Sequence, residues 1–181
     1  MQYTKTIKLK NTKTCLIRNA SGDDAQEVLD IFLLTHEQTD FLLSYRDEAT
    51  FDAAFEREFL IEKERSDKEV YLCAVVDGRI VGTAGVDGKG PSKIKHRADF
   101  GIAIDQEFWR LGIGRALTIA CIECAKKAGY SQLELEVVND NSNAIALYKS
   151  VGFVEYGRNP RGFISRFQGF QELISMRMEL N

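Results

Sequence analysis

The sequence predicts an α/β fold in which one mixed sheet carries helices on both faces, and three observations predict it. Val70 to Val76 (VYLCAVV) and Arg79 to Val86 (RIVGTAGV) are strand-like runs joined by Asp77-Gly78, a strong hairpin signal. Beyond them the pattern runs strand, helix, strand, helix, strand from Phe100 to Gly157. The first of those strands enters its helix through the turn Gly112-Ile113-Gly114. Strands that cluster early and late around such a centre fit one layered domain, with no internal repeat or linker.

The elements follow in order. Thr14 to Arg18 is a short strand, and Ser21-Gly22-Asp23-Asp24 supplies a cap with first-turn acids. Ala25, Val28, Leu29 and Phe32 recur at helical spacing, which predicts a helix to about Leu34. Thr35 to Ala49 has no clear period; it carries Phe41, Leu42 and Tyr45 and reads either as a packed loop or as a cover over a cleft. Thr50 is the expected cap of a second helix, with Phe51, Ala54, Phe55 and Phe59 inward and Glu56, Arg57, Glu62, Lys63 and Arg65 solvated. After the hairpin, Gly88 to Ser92 is a loop, and Lys93, Lys95, His96 and Arg97 form a basic cluster.

A strand ends at Ile104, and a helix runs from about Leu111 to Ala128 with Gly129 just past its end. Leu133 to Val137 alternates as a strand. Asn139 to Asn143 is rich in capping residues, and Ala144, Leu147, Tyr148 and Val151 stripe the next helix until Gly152. Phe153 to Gly157 is a strand and Asn159-Pro160-Arg161-Gly162 a turn. The closing strand turns Ile174, Met176, Met178 and Leu180 to one face.

Composition narrows the function. With 181 residues, 44% hydrophobic and 28% charged, the chain can bury one sizeable core and is expected to be one domain. A net charge of -3 offers no electrostatic footprint for nucleic acid. No apolar run approaches the roughly 18 residues that cross a bilayer, and the polar, basic N-terminus is not a secretory signal. Cys121 and Cys124 lie one turn apart on an apolar stripe. With no second pair and with His36 and His96 far off, they read as core residues, so no metal is expected. The expected location is the reducing cytoplasm.

A glycine turn opening a helix presents free N–H groups and the positive dipole end, a match for phosphate. A P-loop string, GxxxxGK[ST], is absent. A dinucleotide fingerprint needs a third glycine, where Leu117 stands. The segment Trp109-Arg110-Leu111-Gly112-Ile113-Gly114 instead resembles the Q/R-x-x-G-x-G/A pyrophosphate loop of the Gcn5-related N-acetyltransferase (GNAT) superfamily, with Trp109 where that family most often has Gln or Arg. Downstream, VNDNSNAIALYKSVGF (Val138 to Phe153) is similar to the family string N-x-x-A-I-x-L-Y-x-x-x-G-F. Asn141, Ala144, Ile145, Leu147, Tyr148, Gly152 and Phe153 stand in the matching positions. The resemblance covers about residues 14 to 180.

The resemblance implies a mostly antiparallel sheet of about seven strands in which one parallel pair splays apart around acetyl-CoA. Ile102, Ala103 and Ile104 would pair with the pantetheine arm, and Gly101 reads as a bulge or a close-approach position. The main chain from Leu111 through Gly112, Ile113, Gly114 and Arg115 to Ala116 would hold the pyrophosphate, with charge from Arg110 and Arg115. Asn141, which reads also as a plain N-cap, would contact the pantetheine or a water near it, and Ala144 would be a further cofactor-binding residue. Tyr148 would face the sulfur as general acid, since a phenol keeps its proton at neutral pH. For the base no residue carries over. Glu136 and Asp99 are the candidates, Glu136 the preferred one, and each reads equally as a surface carboxylate. The expected acceptor is a primary amine of a small molecule or peptide, with Phe41, Tyr45 and Asp99 nearby. The irregular tail from Arg158 to Gln171 would join the acceptor site or a homodimer interface. Acyl transfer to another acceptor, and acyl-CoA binding without turnover, are the competing expectations.

Overall fold

The computed structural model describes residues 1–180. Eight strands form one sheet: β1 (Thr4–Lys8), β2 (Thr14–Asn19), β3 (Val70–Val76), β4 (Arg79–Gly88), β5 (Arg97–Ile104), β6 (Gln132–Val138), β7 (Val154–Ser165) and β8 (Gly169–Glu179). Their spatial order is β1-β2-β3-β4-β5-β6-β8-β7, and every neighbouring pair is antiparallel except β5 with β6. Four helices complete it: α1 (Ala25–Gln38), α2 (Ala53–Arg65), α3 (Ile113–Lys127) and α4 (Ser142–Val151).

The two-residue period of β3 explains why both faces are covered. Val70, Leu72, Ala74 and Val76 join one core with Leu117, Ala120 and Cys121 of α3, while Cys73, flanked by Tyr71 and Val75, joins a second core with Val28 and Ile31 of α1 and Leu60 of α2. A fully buried aliphatic such as Leu117 contributes about 1.5–3 kcal/mol. Cys121 and Cys124 are buried and unpaired in the first core, where their thiols behave as small apolar groups.

Several expectations change. β1 is an additional, eighth strand. Only Ile7 of its residues turns inward, so the alternation is hidden among exposed Lys and Thr, as suits a sheet edge. α1 runs on to Gln38 and shortens the irregular segment. α2 is capped by Asp52, whose carboxylate accepts from the Phe55 N–H at 2.9 Å, rather than by Thr50. Its inward seam is Glu56, Leu60 and Lys63, and Phe55 is exposed; Lys63 tolerates burial because Glu69 and Asp87 neutralise it. Gly101 sits in unbroken register with Gly85, and the bulge lies instead between Ala74 and Val75. The expected turn at Asn159 to Gly162 is a register irregularity inside β7, where an edge strand accommodates Pro160.

Candidate active site

β5 and β6 share only three register pairs: Arg97 with Gln132, Ala98 with Leu133, and Asp99 with Glu134. Beyond that point β5 continues on β4 as far as Ile104, and β6 continues on β8 as far as Val138. The facing edges of Phe100 to Ile104 and of Leu135 to Val138 are thereby left open, and both line a cleft of about 1000 Å³. Ile102, Ala103 and Ile104 all lie along it.

The glycine turn sits at the mouth of this cleft. Gly112 caps α3 with φ of 105°, a left-handed conformation costly for any side chain, and a Cβ there would meet nothing within 4 Å. Gly114 is glycine for another reason: a Cβ would lie 3.2 Å from Leu147 Cδ2 and 3.4 Å from Ile104 Cδ1, so it sets how closely α3 approaches α4 and β5. Gly112 O accepts the Ala116 N–H at 3.1 Å, which removes Ala116 as an anion donor. The N–H groups of Ile113, Gly114 and Arg115, in the first turn of α3, have no partner within the helix. Ile113 is fully buried, Leu111 packs against the core and gives its carbonyl to the Lys10 N–H, and neither is among the residues that line the cleft. Arg110 and Arg115 line the cleft, and Arg115 donates to Ser150 Oγ at 2.8 Å. Trp109 turns back to donate its indole N–H to Ile104 O at 2.7 Å, bracing the turn against the end of β5.

Asn141 both caps α4, its Oδ1 accepting from the Ala144 N–H at 3.2 Å, and lines the cleft with Ala144. Tyr148 is 7% exposed, packed edge-on to Phe100 and Phe153 at 6.1 and 5.9 Å between ring centroids. Burial pushes its phenol up to about 12. Its hydroxyl has no hydrogen-bond partner among the described residues, yet every fully occluded side-chain polar atom among them is paired. The hydroxyl therefore keeps contact with the cleft.

The far end of the cleft is acidic. Glu134 is buried; burial raises its carboxyl, but the forked Arg97 (2.6 and 2.7 Å) and Lys89 more than offset that and hold it below the ordinary carboxylate range. Asp99 pairs with Lys89 at 2.8 Å. The basic loop is thus partly a counter-charge for carboxylates rather than a free cluster. Glu136 lines the cleft two residues beyond Glu134 and accepts one hydrogen bond, from Ser175 Oγ at 3.3 Å. Two residues passed over by sequence reasoning matter here. Glu134 is one of the two glutamates of the alternating run Leu133 to Val137, and nothing in that run marks it as buried. Asp105, 2% exposed, takes hydrogen bonds from Gln38 and Arg79, both at 2.8 Å, and ties α1 to the end of β5.

Phe41, Leu42 and Leu43 line the cleft, and Tyr45 does not. Its hydroxyl donates to Asp40 at 3.1 Å and accepts the Arg166 N–H at 2.8 Å, while the Arg166 guanidinium lies 4.0 Å over the ring and pairs with Asp47. Ser165 donates to Asp40 as well. Residues 158–171, unassigned from sequence, thereby belong to a long β7–β8 hairpin latched to the segment after α1, with Phe163 reaching the cleft. Among the described residues no group of His, Cys, Asp and Glu could hold a metal ion, and no helix is long and apolar enough to cross a membrane.

An open parallel strand pair, a glycine turn capping the following helix and a tyrosine below it define an acyl-CoA-type transferase fold. The sequence model of the Acetyltransferase (GNAT) family matches residues 31–153, and the chain belongs to that family. An uncharacterized N-acetyltransferase of Methanocaldococcus jannaschii is 32% identical over 146 residues, covering 79% of this chain and 62% of the relative. A [Ribosomal protein bS18]-alanine N-acetyltransferase of Escherichia coli is 38% identical over 82 residues, 45% of this chain and 55% of the relative. The chain thus spans little more than half the length of these curated relatives. A crystal structure of a GNAT-family acetyltransferase from Streptococcus pneumoniae superposes with a TM-score of 0.88 at 28% identity, covering 91% of this chain and 99% of that one. A putative acetyltransferase from Salmonella typhimurium, solved with acetyl-CoA, superposes at 0.82 with 19% identity over 92% of this chain and 94% of that one.

Proposed function

We propose that the protein is an N-acetyltransferase that moves an acetyl group from acetyl-CoA directly to a primary amine within a ternary complex. The observation that carries this is the placement of the unpartnered Tyr148 hydroxyl in the V between β5 and β6, with the glycine turn at the mouth. The residues present fit acetyl-CoA: free N–H groups of Ile113 to Arg115 suit the pyrophosphate, and the open β5 edge from Ile102 to Ile104 suits the amide-bearing pantetheine arm. The solved acetyl-CoA complex of a like-folded protein supports the same assignment.

When bound, acetyl-CoA supplies an activated thioester. Glu136 is the preferred base, because Asp99 and Glu134 are each held by a cation and, among the described residues, Glu136 is not. It takes a proton from the incoming ammonium and leaves the amine neutral. Tyr148 keeps its proton across the neutral range and donates a hydrogen bond to the sulfur as negative charge develops. Full transfer from a phenol at about 12 to a thiolate of ordinary pKa about 8.5 runs uphill, so donation to the developing charge is its larger contribution.

The carboxylates Asp99, Glu134 and Glu136 at the far end, with Phe41 and Leu42 above, favour a cationic acceptor with a short apolar neighbour. Relatives named for acting on ribosomal-protein alanine and on L-amino acids support an amino-acid or peptide amine. The reading takes the chain as one domain acting in the cytoplasm, where its four buried free thiols stay reduced. It takes the exposed β7 edge as the face on which two copies would meet. Thiol release from acetyl-CoA across a panel of amino acids and short peptides tests the activity. Tight binding of acetyl-CoA with no release for any amine would favour the regulatory, non-turnover reading instead.

A further inference from the structure

We infer that Lys10, carried by the N-terminal hairpin, completes with Arg110 and Arg115 a site for a phosphate monoester at the mouth of the cleft, so that the protein selects the 3′-phosphorylated coenzyme. The inference rests on the acetyl-CoA reading above and adds a residue far from the glycine turn in sequence.

Lys10 lies in the turn between β1 and β2, which is closed by Leu9 N–H to Lys13 O at 2.8 Å and by Thr12 N–H to Leu9 O at 3.0 Å. Leu9, 4% exposed, anchors that turn in the main core. The Lys10 N–H donates to Leu111 O at 3.2 Å, which docks the turn on the residue before Gly112. This backbone bond fixes where the side chain starts, and Lys10 is one of the residues that line the cleft. Its neighbour Lys13 is spent on Asp77 at 2.7 Å, and among the described residues no carboxylate stands within 4 Å of the Lys10 ammonium.

The cations of the cleft fall into two groups. Lys89 and Arg97 are neutralised by Asp99 and Glu134. Lys10, set beside Arg110 by its backbone bond to Leu111, and Arg115 in the first turn of α3 line the same cleft without a carboxylate partner among the described residues. Arg110 is held there by a backbone φ of 61°, a conformation non-glycine residues rarely adopt. Like charges gathered without counter-charge repel, and an anion recovers that cost. The N–H groups at the start of α3 already suit a pyrophosphate, so three further cations answer to additional negative charge. In coenzyme A that charge is the monoester at the ribose 3′ position, a dianion near neutral pH. The hairpin lies outside residues 31–153, the segment matched by the family, so this contribution belongs to the chain's own N-terminal region.

The experiment compares CoA with 3′-dephospho-CoA on the full chain. Trp109 is the sole tryptophan and lines the cleft, so its emission reports binding, with calorimetry as a second readout. Wild type is expected to bind CoA about tenfold or more tightly than dephospho-CoA, and the preference should shrink as ionic strength rises. In Lys10→Gln the ratio should fall to about two- to threefold, and Lys10→Arg should restore most of it; neither change touches the Lys10–Leu111 backbone bond. Equal binding of the two nucleotides by wild type, or an unchanged ratio in Lys10→Gln, overturns the assignment while leaving the transferase reading intact. Failure of wild type to bind CoA at all overturns both.

Discussion

Asp99 and Glu134 are the last register pair that β5 and β6 share, and Lys89 joins their two carboxylates at the point where the strands part. Arg97 adds a forked pair to Glu134. The clasp closes the bottom of the V with charge while Phe100 and Leu135, one residue on, open it.

Replacing Glu134 by Gln leaves Arg97 and Lys89 half-desolvated without their shared anion. A loss of about 2 kcal/mol at neutral pH is expected, seen as a lower denaturation midpoint. Because the folded-state carboxyl is held below its ordinary value of 4.5, this stability is present above that value and is lost as pH falls through the folded one. The gap between wild type and Glu134→Gln should therefore close in acid. A gap that stays constant down to strongly acidic pH would show that the clasp contributes nothing through charge.

Tyr148→Phe removes one oxygen and keeps the packing on Phe100 and Phe153. Turnover should fall about 10²-fold with the KM for acetyl-CoA little changed, as expected for a group that acts mainly in the transition state. With the phenol pushed up to about 12, Tyr148 stays protonated through the usual assay range. Any alkaline fall in wild-type rate below about pH 10 then comes from another group and should persist in Tyr148→Phe.

Two glycines of one turn should answer differently to the same substitution. Gly112→Ala forces alanine to a φ of 105° and should cost about 1–2 kcal/mol, lowering Tm by roughly 2–8 °C. Gly114→Ala pushes on Leu147 and Ile104 at 3.2 and 3.4 Å, which moves the start of α3 away from β5. It should raise the KM for acetyl-CoA several-fold with a smaller change in Tm. Kinetics alongside a melting scan separate the two.

The latch from Tyr45 to the hairpin controls the acceptor end. Tyr45→Phe takes away both hydroxyl bonds and Arg166→Ala takes away the pair to Asp47 and the ring contact, yet neither residue lines the cleft. Each should raise the acceptor KM while leaving the Kd for CoA unchanged, and proteolysis between Asp40 and Glu48 should quicken. Acceptor kinetics identical to wild type would show that the hairpin is positioned without the latch.

The strand–helix centre, the hairpin at Asp77-Gly78, the glycine turn and the helical placing of Asn141 and Tyr148 are legible in the amino-acid order. These are local signals: a period of two or 3.6, a turn that needs positive φ, a cap whose side chain reaches three residues ahead. Where a face is nearly all polar the period carries little information, so β1 was hidden and α2 was turned to the wrong side. A stripe of Phe outweighs Glu56 and Lys63 until Glu69 and Asp87 arrive from other elements to neutralise the lysine. Which carboxylates are spent depends on contacts between distant elements. Asp99 and Glu136 read alike in the chain, but Lys89 comes from a loop ten residues before Asp99 and claims it. The tertiary fold also removed Tyr45 from the cleft, gave Trp109 a partner in Ile104, and brought Lys10 to Leu111 across about a hundred residues of sequence. Pairings of that kind rest on which surfaces the sheet order brings together, and no window of sequence contains them.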